Sequence, residues 1–114
     1  MIKIKEIARF LETLAPLALQ ESYDNAGLIV GNPESDVDSA LVTIDVTEAV
    51  VDEAIGRNIK LIIAHHPIVF SGVKKFTGKN YVERTLLKAI KNDIAIYAAH
   101  TNLASAPQGV NQKI

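Results

Sequence analysis

The sequence predicts an α/β fold, a mostly parallel sheet flanked by helices, and three observations predict it. From Ser39 onward, segments alternate in the order strand, helix, strand, helix, strand. The strand-like segments are continuous apolar runs rich in β-branched residues, as expected of strands covered on both faces. The chain has 114 residues, almost half of them apolar, which is one ordinary domain with one hydrophobic core. Residues 1–114 are therefore expected to form a single α/β domain.

Each element follows in order. The segment IKEIARFLETLA places Ile4, Ile7, Leu11 and Leu14 at helical spacing, and the helix is expected to stop near Pro16. In YDNAGLIVGNPESD, Asp-Asn-Ala-Gly is turn chemistry, GLIVG is a short apolar run between glycines, and Asn32-Pro33 begins a loop. Gly27 and Gly31 are expected there for backbone reasons. SALVTIDVT reads as a strand. Thr47 at its end is a plausible N-cap for a helix in EAVVDEAIGRN, with Val50, Val51, Ala54 and Ile55 as the apolar face and Gly56 and Asn58 as stops. KLIIAHHP is the next strand and SGVKKFTGKN a loop. YVERTLLKAIKND is a third helix with Val82, Leu86, Ala89 and Ile90 on one face, and IAIYAAHTNL the last strand.

Composition narrows the partners. Formal net charge is −1 and the basic residues are scattered, so nothing favours nucleic acid or an anionic membrane as partner. The absence of cysteine excludes a disulfide framework and a thiolate metal site. Any metal must be held by His, Asp, Glu or water. The N-terminus lacks the apolar core of a signal peptide and no stretch approaches a membrane span, so a cytoplasmic protein is expected. The tail ASAPQGVNQKI closes abruptly, without a helix or strand.

Parallel strands present their carboxyl ends to one rim, where ligands of open α/β folds bind. Asp45 ends the first of the three strands, His65 and His66 the second, and His100 the third. In a regular strand, neighbouring side chains point to opposite faces, so His65 and His66 would share a site only if the chain bends. Pro67 ends the ladder because it has no N–H to donate. Imidazole suits zinc, iron, copper or nickel. Against this stand plainer alternatives: a histidine pair that merely marks a strand leaving the core, an Asp45 that helps cap the helix beginning at Thr47, and a polar turn at His100. Lys74 and Lys75, beside Gly72 and Gly78, fit a solvated loop better than a phosphate site, and no phosphate-loop or dinucleotide fingerprint is present.

Taken together and in order, YDNAGLIVG (Tyr23–Gly31), DVT (Asp45–Thr47), AHHPIVF (Ala64–Phe70), YAAHTNL (Tyr97–Leu103) and GVN (Gly109–Asn111) resemble the GTP cyclohydrolase I type 2 family, also called NGG-one-interacting-factor-three-like. The match runs over essentially the whole chain. The resemblance implies an α/β fold in which this chain is the N-terminal part of a larger two-metal fold. It implies divalent metal ions, zinc, iron, manganese or nickel, two per site, and assembly into a homo-oligomer, commonly a hexamer. His65 and His66 correspond to metal ligands, and His100 to a histidine close to the metals and a candidate catalytic group. The implied reaction is metal-dependent ring-opening hydrolysis of GTP or a related nucleotide.

Two departures set this chain apart. Where the family motif continues His-Thr-Asn-x-Asp with a metal-binding Asp, this chain has His100-Thr101-Asn102-Leu103-Ala104, and a methyl group cannot ligate. The family's C-terminal His and Glu, which complete the site, have no counterpart within these residues. Both departures favour an alternative function, a non-catalytic metal-binding or protein-interaction module. A simple nucleotide-binding α/β domain is disfavoured by the absence of a glycine-rich phosphate loop.

Overall fold

The run Leu61–Ala64 carries no polar side chain, and it forms a strand against which both faces of the fold pack. The computed structural model describes residues 1–14, 27–66 and 77–99. In chain order they form β1 (Ile2–Lys3), α1 (Ile4–Leu14), β2 (Gly27–Val30), β3 (Asp36–Val37), β4 (Leu41–Thr43), α2 (Glu48–Gly56), β5 (Leu61–Ala64), α3 (Tyr81–Lys91) and β6 (Ala95–Ala98). Four strands make a mixed sheet in the order β2-β6-β5-β4. The three expected strands β4, β5 and β6 run parallel, and β2 is an antiparallel edge on β6. The fold is therefore α/β with a mostly parallel sheet, as expected.

Strand alternation divides the core in two. Leu61, Ala95, Tyr97 and Ala99 face α1, joined by Ile4, Ile7, Ala8 and Leu11 of that helix. Ile62, Ala64, Ile94 and Ile96 face the opposite way, against Val51 and Ala54 of α2 and Ala89 of α3. Val51, with no exposed surface, contributes about 1.5–3 kcal/mol by burial alone.

The helices begin and end on local chemistry. Thr47 adopts an extended backbone and its Oγ1 accepts from the Val50 amide at 3.2 Å, the expected N-cap of α2. Asn58, with φ of +55°, takes the left-handed position after α2, whereas Gly56 remains its last helical residue. Asn80 caps α3 by accepting from the Glu83 amide at 2.9 Å. Glu83 reaches back in turn, its Oε1 accepting from the amides of Thr77, Gly78 and Lys79 at 3.1–3.3 Å. An internal carboxylate thus occupies the amide cluster of residues 77–79. Lys74 and Lys75 lie outside the described residues, as do Pro16 and the side chain of Leu14.

Several expectations need correction. Ile55 and Ile90 are exposed, because each helix buries only a narrow stripe: Val51 and Ala54 in α2, and Glu83, Thr85, Leu86 and Ala89 in α3. The strand expected over residues 39–47 pairs only at Leu41–Thr43, so Asp45 stands two residues beyond its end. The β1–β3 ribbon, which pairs Ile2 with Val37 and Lys3 with Asp36, was not expected. Gly27 and Gly31 do serve the backbone, with φ of +108° and +118°. Among the described residues, no helix is long and apolar enough to cross a membrane.

Candidate metal centre

The three parallel strands end level with one another. Thr43 pairs with Ala64, and Ala64 with Ala98, so the residues that follow emerge at one rim. Backbone bonds carry the alignment a step further: the His65 amide donates to Thr43 O at 3.1 Å, the His66 amide to Ile44 O at 2.9 Å, and the Ala99 amide to Ala64 O at 2.9 Å. Asp45, His65 and His66 therefore meet at the rim that connectivity predicts. His100 and Ala104 lie outside the described residues.

The chain bends at His65 and His66, immediately after β5. The bend removes the opposition of neighbouring side chains, and the two ring centroids lie 4.9 Å apart with their planes at 43°. Both rings are held through the same atom. His65 Nδ1 lies 3.1 Å from Ala99 O, and His66 Nδ1 lies 2.6 Å from Asp45 Oδ1. A carbonyl oxygen and a carboxylate can only accept, so Nδ1–H donates in both cases. In the neutral ring, that assigns the lone pair to Nε2 on both histidines.

This arrangement is what histidine ligation requires. A metal-binding imidazole generally donates its other N–H to a carboxylate or a backbone carbonyl, which sets its tautomer and orientation. His65 has the carbonyl partner and His66 the carboxylate. Imidazole donors suit zinc, iron, copper or nickel. It is incomplete, since zinc sites generally use three or four protein ligands. Among the described residues, no group of three or more His, Asp or Glu forms a metal-holding cluster.

Asp45 does not cap α2; Thr47 does, and the Asp45 carboxylate turns to His66. The Thr43 hydroxyl donates to Asp45 O at 2.9 Å and steadies the turn between them. The contact follows from register, which the sequence alone does not show: Asp45 and His66 each stand two positions beyond the paired Thr43 and Ala64. Ala99 was missed because a backbone carbonyl has no sequence signature.

Beside His65 is a cavity of about 440 Å³ with mostly apolar walls, including Val42, Ile44, Ile63 and Ala99. A larger one of about 520 Å³ lies at the opposite end of the strands, near Lys60, Asp93 and Asn32. The smaller cavity is the relevant one because His65 lines it.

Comparison with known proteins identifies the fold and the family. The family described as Duf34/NIF3 (NGG1p interacting factor 3) matches residues 2–114. The chain is 41% identical over 113 residues to a GTP cyclohydrolase 1 type 2 homolog of Clostridium acetobutylicum, covering 99% of this chain and 42% of that protein. It is 39% identical over 109 residues to NIF3-like protein 1 of Rattus norvegicus, covering 95% and 29%. Among solved structures, a Bacillus cereus protein related to NIF3 superposes with a TM-score of 0.90 at 42% identity, over 97% of this chain and 30% of that one. Reduced HcgD from Methanocaldococcus jannaschii superposes with a TM-score of 0.88 at 34% identity, over 96% and 44%. The chain thus spans less than half the length of these relatives. With the family match covering all but the first residue, and with the same fold in its solved relatives, this chain belongs to the Duf34/NIF3 family.

Proposed function

We propose that this chain supplies His65 and His66 as ligands to a divalent metal centre, and that the centre serves metal-dependent hydrolysis of GTP or a related nucleotide. One observation carries the reading: both rings donate from Nδ1, to Ala99 O and to Asp45 Oδ1, which leaves Nε2 as the lone-pair atom on each. A divalent metal held there would supply a Lewis acid and lower the pKa of a bound water for attack on an electrophilic ring carbon. The protein's own part is to hold the two imidazoles at 4.9 Å and to present Val42, Ile44 and Ile63 as an apolar wall for a flat base. His100 is the candidate proton-transfer group. The reading includes a small-molecule or nucleotide substrate, no nucleic acid or membrane partner, a homo-oligomer that is hexameric by resemblance, and a cytoplasmic location.

A second reading has its own observation. Ala104 stands where the family motif carries a metal-binding Asp, which favours a non-catalytic metal-binding or protein-interaction module.

Both readings are tested by titrating the purified chain, and its His65→Ala and His66→Ala variants, with zinc, manganese and nickel. GTP consumption is then followed on the loaded protein. Metal binding that both variants lose, with GTP turnover, supports the first reading. Metal binding without turnover supports the second. If the unmodified chain takes up none of the three metals, the metal-binding readings fail and the protein-interaction module stands.

A further inference from the structure

We propose that Asp45 is the positioning residue of His66: its carboxylate fixes the tautomer and orientation in which that ring binds metal through Nε2, without itself being a ligand. The inference rests on the proposed metal reading and extends it to a residue outside the double histidine.

Three observations carry it. The Asp45 Oδ1 to His66 Nδ1 separation of 2.6 Å is shorter than the His65 Nδ1 to Ala99 O and Thr43 Oγ1 to Asp45 O separations of 3.1 and 2.9 Å. Charge-assisted bonds of this kind are short and directional, so the carboxylate sets the ring plane as well as the proton position. Second, neither helix capping nor stability accounts for Asp45. Thr47 caps α2, and the Asp45–His66 pair is too open to water to add much stability, with 64% of the Asp45 side chain and 43% of the His66 side chain exposed. Third, the contact is built by register. Asp45 and His66 stand two residues beyond the paired Thr43 and Ala64, and the Thr43 hydroxyl bonded to Asp45 O fixes the backbone that aims the carboxylate.

The two histidines are therefore unequal donors. His65 rests on a neutral carbonyl that no side-chain substitution removes, whereas His66 rests on a carboxylate side chain that a substitution can remove. Loss of Asp45 should weaken metal binding through His66 and leave His65 in its tautomer.

The experiment compares the full chain with Asp45→Ala and Asp45→Asn. Long-range proton–nitrogen NMR spectra of the metal-free proteins, at a pH where the rings are neutral, report the tautomer of each histidine. Zinc titration then reports affinity. The expected result is an Nδ1–H tautomer at both rings in the unmodified chain. In Asp45→Ala, His66 alone should shift toward Nε2–H, with zinc affinity falling about 10- to 100-fold. Asp45→Asn, which keeps an acceptor oxygen, should fall between. An unchanged His66 tautomer in Asp45→Ala overturns the proposal. So does a zinc loss in Asp45→Asn as large as in His66→Ala, which would make Asp45 a ligand. If the unmodified chain binds no zinc, the metal reading fails, while the ring spectra still decide whether Asp45 sets His66. A thermal melt of each variant confirms that the fold survives, as the exposure of Asp45 leads one to expect.

Discussion

Gly31 lies directly against Ala95: a methyl group at Gly31 would fall 2.5 Å from the Ala95 Cβ and 3.0 Å from its Cα. The obstructing atoms include backbone of the central strand β6, which cannot give way as a flexible side chain would. Gly31 also has a φ of +118°, a conformation that strains any residue with a Cβ. Gly31→Ala should therefore cost at least about 2 kcal/mol. Gly56 makes the control. Nothing lies within 4 Å of the methyl it lacks, and it is helical, so Gly56→Ala should be neutral or add about 0.5 kcal/mol. Urea denaturation of both variants checks the contrast. Equal effects would show that the β2–β6 contact is looser than described.

Glu83 ties the entry of α3 to the residues before it. The Thr77 amide, followed by those of Lys79 and Gly78, holds its carboxyl below the ordinary 4.5. A carboxylate whose pKa is depressed on folding stabilises the fold above its unfolded value. That contribution is lost as pH falls through the lower folded value. Glu83→Gln should lower the urea midpoint at neutral pH, and the two midpoints should converge in strong acid. Parallel profiles across that range would overturn the assignment.

Tyr97 links the central strand to α1 through its hydroxyl, which donates to Glu12 Oε2 at 3.2 Å. Burial, reinforced by the Glu12 carboxylate, pushes the phenol above its ordinary value of 10.0. A raised phenol pKa means that stability is present below the unfolded value and is lost as pH rises above it. Tyr97→Phe keeps the buried ring and removes only the hydroxyl. It should cost about 1 kcal/mol at neutral pH and flatten the alkaline limb of the stability profile, as followed by circular dichroism.

Ala104→Asp should restore the acidic position of the family motif. If the proposed centre lacks one ligand for that reason, the substitution should tighten zinc binding by at least about tenfold, equivalent to about 1.4 kcal/mol. Calorimetric titration measures it. An unchanged affinity would mean that position 104 does not reach the centre.

How far the sequence carried depended on the range of the physics involved. α2 and β5 were legible because a capping threonine and an unbroken apolar run act over a few neighbours. The exposure of Ile55 and Ile90 was not, since the width of the stripe a helix buries is set by the sheet and by its partner helix. The β1–β3 ribbon pairs two residues with two, too few to show any alternation. At the site, the rim was readable from connectivity. The bond between Asp45 and His66 required the β4–β5 register, and the hold of Ala99 on His65 required a backbone carbonyl that carries no letter code.

The placement of β6 between β2 and β5 has a consequence for the site. Ala95, Ile96, Tyr97 and Ala98 are all buried, with β2 paired on one side of their strand and β5 on the other. Ala99, the next residue, holds His65. Because the Ala99 amide is itself bonded to Ala64 O, the orientation of that imidazole is tied to the pairing of β5 with β6.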